Sequence, residues 1–287
     1  KYIDMSIMGV GTNILGYNHP EVNKAVSEII SLGNLSTLNC PEEVYLAEKL
    51  IQLHPWAEMV KFTRSGGEAN AVAIRIARAS TKKQKIAVCG YHGWHDWYLA
   101  ANLASKDRLD DHFIKGISPR GVPNELTGST LTFRYNNFEE LEKLIKKNPD
   151  IGIIKMEVAR NYEPKNNFLQ KIKELSLKKG IILIFDECSS GFRQSYGGLH
   201  KIYGVEPDIA IFGKALGNGY AINAIVGKEK YMRFAEKTFI SSTFWTERIG
   251  PTAALKTLEE MQRKKSWKII TNKGYEMRKK WKMLADK

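Results

Sequence analysis

The sequence predicts a mostly parallel α/β sheet flanked by helices. Two observations carry the expectation. Short apolar runs such as Ile181-Ile-Leu-Ile-Phe185 and Ile209-Ala-Ile-Phe212 are continuous rather than alternating, as in strands buried on both faces. Amphipathic stretches of helical length lie between such runs along nearly the whole chain, which is the pattern of a parallel sheet.

In chain order the reading gives helices over 20–30 and 42–53, a strand over 60–63, a helix over 68–79 and a strand over 85–89. A strand over 130–133, a helix over 138–147, a strand over 151–156 and a helix over 168–179 follow. Strands over 181–186, 209–212 and 224–226 and a helix over 250–263 complete the set. The segment 68–79 is rich in good helix formers. The longest irregular stretch, 107–127, contains Pro119 and Pro123. A loop of that length is usually functional, and this one could cover a site. No internal repeat or low-complexity segment is present.

Ligands of parallel sheets bind at the carboxyl ends of the strands. Gly67, Tyr91, Glu157, Asp186 and Lys214 all fall at such ends or just beyond. Asp186 closes one apolar run, and Lys214 follows another in Ile209-Ala-Ile-Phe-Gly-Lys214. A lysine and a carboxylate so placed are what pyridoxal phosphate chemistry requires. The amine forms a Schiff base with the cofactor aldehyde, and the carboxylate keeps a proton on the ring nitrogen.

A phosphate site fits the same end of the sheet. Ser65, Gly66 and Gly67 stand between the strand ending at Thr63 and the helix starting at Glu68. Glycines allow close backbone approach, and unpaired amides at a helix start favour an anion. The same residues would also serve as an ordinary helix-capping turn. No Walker A or G-x-G-x-x-G pattern occupies the segment, which argues against a nucleoside triphosphatase or dinucleotide enzyme.

The 287 residues can bury a sizeable core, and 43% hydrophobic with 26% charged content is ordinary for a globular protein. The apolar runs are far too short to span a bilayer as helices, so no membrane association is expected. Cys40, Cys89 and Cys188 are widely spaced without a C-x-x-C pair, which favours a reducing cytoplasm. The net charge of +13 comes from scattered lysines. Solvated surface explains it better than a nucleic-acid face. His92, His95 and Asp96 lack a third imidazole in register, so no metal is expected.

Several motifs in order resemble the class III aminotransferases of fold type I, especially the branch containing glutamate-1-semialdehyde aminomutase. They are Leu15-Gly-Tyr-Asn-His-Pro-Glu21, Phe62-Thr-Arg-Ser-Gly-Gly-Glu-Ala69, Tyr91-His-Gly93, Ile184-Phe-Asp-Glu187 with Gly191-Phe-Arg193, and Pro207-Asp208 through Gly213-Lys214. The resemblance implies a fold type I pyridoxal-5'-phosphate-dependent transferase. It divides the chain into an N-terminal segment over 1–35, a large cofactor domain over 36–262, and over 263–287 the start of a small domain that is largely missing. The start at Lys1 is expected to be a truncation.

The likeness also implies roles. Lys214 would hold the cofactor and shuttle the proton, Asp186 would pair with the ring nitrogen, and Tyr91 would stack on the ring. Ser65, Gly66 and Gly67 would bind phosphate. His92 would pack around the cofactor, Cys188 would touch the ring, and Glu157 would contact its surroundings. Thr243 would reach the phosphate in the neighbouring subunit, making a homodimer with shared sites.

Departures from the family pattern are the second glycine of Ser65-Gly66-Gly67 in place of a threonine, Val158 after Glu157, and Arg160-Asn161 where an amide often contacts the ring hydroxyl. The stretches 93–98 and 241–248 are bulkier and more polar than in the aminomutase. The expectation is a cytoplasmic aminotransferase acting on a small-molecule amino donor and a keto or aldehyde acceptor. The alternative is intramolecular transfer of the aminomutase type, and a distant one is a nucleic-acid or nucleotide-binding protein.

Overall fold

The computed structural model describes residues 2–4, 6–112 and 114–286. One seven-stranded sheet organises them, in the order β1-β7-β6-β5-β4-β2-β3. The strands are β1 (Met59–Thr63), β2 (Lys85–Cys89), β3 (Thr130–Thr132), β4 (Ile151–Glu157), β5 (Ile182–Glu187), β6 (Ile209–Phe212) and β7 (Asn223–Gly227). The pairings from β3 through β6 are parallel, and β7 runs antiparallel to both β6 and β1. The expected mostly parallel sheet is therefore present.

The longer helices are α1 (Pro20–Ser31), α2 (Pro41–Leu53), α3 (Gly66–Thr81), α4 (Phe138–Lys147), α5 (Phe168–Lys179), α6 (Ile249–Lys264) and α7 (Ser266–Ala285). Proline at the first position of α1 and α2 loses no hydrogen bond there. Gly180 in the left-handed conformation ends α5.

Successive strand residues point to opposite faces, so each apolar run feeds two cores. On one side Ile153, Ile184 and Ile211 meet Ala69, Val72 and Ala73 of α3. On the other, Ile154, Leu183 and Phe185 meet Leu141 of α4 and Leu169 and Ile172 of α5. A third cluster joins Leu46 and Leu50 of α2 and Leu258 and Met261 of α6 to Phe62, Phe212 and Val226.

Buried polar residues tie these layers. Asp208 Oδ2 accepts from the Leu183 amide at 3.0 Å, and Oδ1 accepts from Lys228 Nζ at 2.9 Å and Lys173 Nζ at 3.3 Å. Asn218, beyond β6, accepts from the Leu15 amide at 2.8 Å and donates to the Gly16 carbonyl at 3.3 Å. The loop over 107–127 reaches the end of β2, where the Gly90 amide donates to His112 Nδ1 at 2.8 Å. Among the described residues no helix is long and apolar enough to cross a membrane.

Ile184 is fully buried in the middle of the sheet. Ile184→Ala should cost about 2–5 kcal/mol through lost transfer energy and the cavity left behind. Chemical denaturation checks this, and a loss below about 1 kcal/mol would place the stabilising core elsewhere.

Candidate active site

Parallel strands all end on one edge of the sheet, and the predicted residues gather there for that reason. Asp186 is the penultimate residue of β5, Glu157 ends β4, and Tyr91 and Lys214 lie just past β2 and β6.

Asp186 is only 4% exposed, so its oxygens must be bonded from within. Its Oδ1 accepts from the Cys188 amide at 3.1 Å. Its Oδ2 lies 2.9 Å from His92 Nδ1 and 3.7 Å from Lys155 Nζ. Burial favours the neutral acid, but the Lys155 charge and the His92 hydrogen bond outweigh it and hold the carboxyl well below the usual carboxylate range. An ionised Asp186 makes His92 Nδ1 the donor. Burial lowers the pKa of His92 itself, against the pull of Asp186. The His92 ring is stacked with Trp97 at 6.3 Å and meets Tyr98 edge-on at 5.5 Å, which fixes its plane.

Lys214 is half-buried and has φ +41°, a left-handed conformation uncommon for a residue with a Cβ. Its Nζ donates to Ser189 Oγ at 2.8 Å. Burial lowers its pKa, and the Arg160 guanidinium pushes the same way. The preceding Gly213 leaves no room for a Cβ, because the Asn223 side-chain oxygen occupies that place.

A polar chain continues from Ser189. Arg160 Nη2 donates to Ser189 Oγ at 3.3 Å, and Arg160 Nε donates to Glu157 Oε2 at 2.8 Å. Glu157 Oε2 also accepts from the Tyr91 amide at 3.0 Å. Gly90, with φ +109°, lets Glu157 approach, since a Cβ there would stand 2.7 Å from Oε2. The Tyr91 ring meets Tyr98 edge-on at 6.1 Å.

Ser65 caps α3, its Oγ accepting from the Glu68 amide at 3.3 Å. Glu68 Oε2 accepts from the Arg64 amide at 2.7 Å, a relative of the capping box displaced by one residue. A hydroxyl used as acceptor keeps its hydrogen for another partner. Gly66 and Gly67 are the first residues of a 16-residue helix. A Cβ at Gly67 would collide with His95 at 2.6 Å, and one at Gly66 would touch Cys188 Sγ at 3.6 Å. Burial raises the pKa of the Cys188 thiol, so it stays protonated. Among the described residues no three His, Cys, Asp or Glu side chains are gathered to hold a metal ion.

Thr243 stands apart from this group, exposed on the segment before α6. That segment is pinned to the start of α3: Trp245 Nε1 donates to Glu68 Oε1 at 3.0 Å, and Arg64 Nη2 donates to the carbonyls of Trp245 and Glu247 at 3.1 Å. Arg248 grips Glu42 at the start of α2 in a two-pronged pair, at 2.8 and 3.1 Å. Sequence reasoning missed Ser189 and Lys155. Lys155 had a signal, a lone charge inside the apolar run Ile151-Gly-Ile-Ile-Lys-Met156. Ser189 had none.

The sequence model of the family described as aminotransferase class-III matches residues 1–287. A 3-aminobutyryl-CoA aminotransferase from Cloacimonas acidaminovorans is 38% identical over 96% of this chain and 64% of its own length. A glutamate-1-semialdehyde 2,1-aminomutase from Methanobrevibacter smithii is 33% identical over 100% of this chain and 68% of its own length. A solved transaminase with PLP bound superposes with a TM-score of 0.81 at 25% identity, over 89% of this chain and 62% of that one. The chain thus spans under two thirds of the first of these relatives.

The Glu42–Arg248 pair should show a defined pH dependence. The Arg248 hydrogen bonds hold the Glu42 carboxyl below its ordinary value. A depressed folded pKa contributes stability above the unfolded pKa, near 4.3, and loses it as pH falls through the folded value. Glu42→Gln should therefore be less stable than the parent by about 1 kcal/mol at pH 7, a gap that narrows below about pH 4. Urea midpoints across pH 3–7 check this; a gap that widens on acidification would overturn it.

Proposed function

This chain belongs to the class-III aminotransferases, and we propose that it carries the cofactor site of a pyridoxal-phosphate enzyme moving an amino group from an amino donor to a keto or aldehyde acceptor. The observation that supports this most is the placement of Lys214 and an ionised, buried Asp186 at the ends of adjacent strands, with the glycine start of α3 on the same edge.

The residues fit the group. The start of α3 presents free amides, two glycines and the Ser65 hydroxyl to a phosphate. Gly66 lies against Cys188, two residues from Asp186, so phosphate and ring contacts converge. When bound, the cofactor supplies an aldehyde that condenses with amines and a protonated ring that accepts electrons. Asp186 would hold the proton on the ring nitrogen, and His92 keeps that carboxylate oriented. Lys214 Nζ, whose proton burial and Arg160 loosen, would be the amine that holds the cofactor aldehyde and the base that moves a proton. Ser189 fixes where that nitrogen rests between transfers. Tyr91, positioned through its amide by Glu157, would stack on the ring. Thr243 would hold the phosphate of a cofactor in a second copy of the chain, in a homodimer.

The aminomutase relatives support a second reading, in which the amino group moves within one molecule. Incubation with a candidate amino aldehyde and no separate donor distinguishes the two, since only the mutase turns over.

The test of the main reading is a half-reaction screen, following the cofactor's absorbance with a panel of amines. Loss of the visible band with at least one amine supports it; an unchanged band with all, or no cofactor bound, overturns it. Borohydride should fix the cofactor to Lys214, and Lys214→Ala should abolish this labelling; a label on any other lysine sinks the assignment.

Thr243→Val should weaken cofactor binding by about 1 kcal/mol or more, the worth of a hydrogen bond to a charged group. Mixed dimers of Thr243→Val with Lys214→Ala chains should regain tight binding in half their sites. Affinity no better than in the Thr243→Val homodimer would rule out the shared site.

A further inference from the structure

Lys155 is a charge that the reaction above leaves unused. It sits within β4 with 0% of its surface exposed, in register with Val88 of β2 and Ile184 of β5. Among the described residues its Nζ has no hydrogen-bond partner, and it lies 3.7 Å from Asp186 Oδ2. The helix packed on this face, α3, brings Ala69, Val72 and Ala73. The titratable groups that act on the ammonium are Asp186 and Cys188 at the end of β5, Glu157 at the end of β4, and His92 beyond β2. Among the described residues only Asp186 is within ion-pair distance. A buried ammonium is tolerated only beside opposite charge, so the geometry makes Asp186 its partner.

That partner is the carboxylate assigned above to the cofactor's ring nitrogen. Two cations would then share one buried carboxylate, where their mutual repulsion is poorly screened. We propose that Lys155 is the resident counter-ion of Asp186, competing with the cofactor's ring nitrogen and holding cofactor affinity below what the site would otherwise give. The proposal rests on the reading that Asp186 receives the ring. Lys155 acts through Asp186 and is a positioning residue. Burial lowers its own pKa, against the pull of the Asp186 carboxylate.

The test is titration of the cofactor-free chain with pyridoxal phosphate and with an analogue carrying carbon in place of the ring nitrogen. Lys155→Met should bind pyridoxal phosphate at least about tenfold tighter than wild type, while affinity for the analogue changes by less than about twofold. No gain with pyridoxal phosphate, or an equal gain with both compounds, overturns the proposal, because a packing effect would not distinguish them. Denaturation midpoints of Lys155→Met and of Lys155→Met/Asp186→Asn give a measurement independent of the cofactor. A double variant more stable than the single one supports the ion pair, since the single variant leaves a buried carboxylate without its cation. A double variant no more stable than the single one overturns it, including the case in which neither folds. If wild type binds neither compound, the proposed function fails, while the stability comparison still decides the pairing.

Discussion

A carboxylate kept ionised inside a sealed sheet is the constraint around which this structure is arranged. Asp186 is nearly unexposed, and water supplies none of the stabilisation its charge needs. The sheet supplies it from three directions: His92 from beyond β2, Lys155 from β4, and the backbone amide of Cys188. The first two depend on the strand order, because β4 lies between β2 and β5, while the amide is local to the end of β5. A different order would leave the same residues in the chain and an uncompensated charge in the core.

A second set of bonds runs beside the first and connects opposite sides of the site. Tyr91, Glu157, Arg160, Ser189 and Lys214 form one hydrogen-bonded series across the ends of β2, β4, β5 and β6. Its charges alternate in sign as far as the serine. The hydroxyl then separates a guanidinium from an ammonium, which is why Lys214 is held near Arg160 without a carboxylate between them. The left-handed backbone of Lys214 belongs to the same economy of space: such conformations persist where their surroundings over-determine them.

Much of this was legible in the chain. Strands buried on both faces declare themselves as unbroken apolar runs, and every strand and long helix read from residues 20–263 stands within two residues of its expected limits. Apart from Thr243, the residues read as a site also share one edge, because parallel strands share a direction. Pairings between distant loops were not legible. Arg248 with Glu42, and Asn218 with Leu15, depend on how loops cross, which no periodicity records. Lys155 stood in plain view as a charge in an apolar strand, but its meaning required knowing that β5 lies beside β4. Thr243, expected at the cofactor phosphate of a second copy, stands exposed and apart from the other residues of the candidate site.

The clasp of Asn218 on Leu15 and Gly16 joins parts of the chain about 200 residues apart, immediately beyond the lysine of the site. One side chain satisfies an amide and a carbonyl of the N-terminal segment, so that segment cannot lift away without leaving Asn218, itself left-handed, with two unmet bonds. Local opening at residues 15–16 therefore costs the turn after Lys214 two of its anchoring bonds. The hydrogen-exchange rate of a single amide near the start of the chain becomes a gauge of order at a site built from its other end.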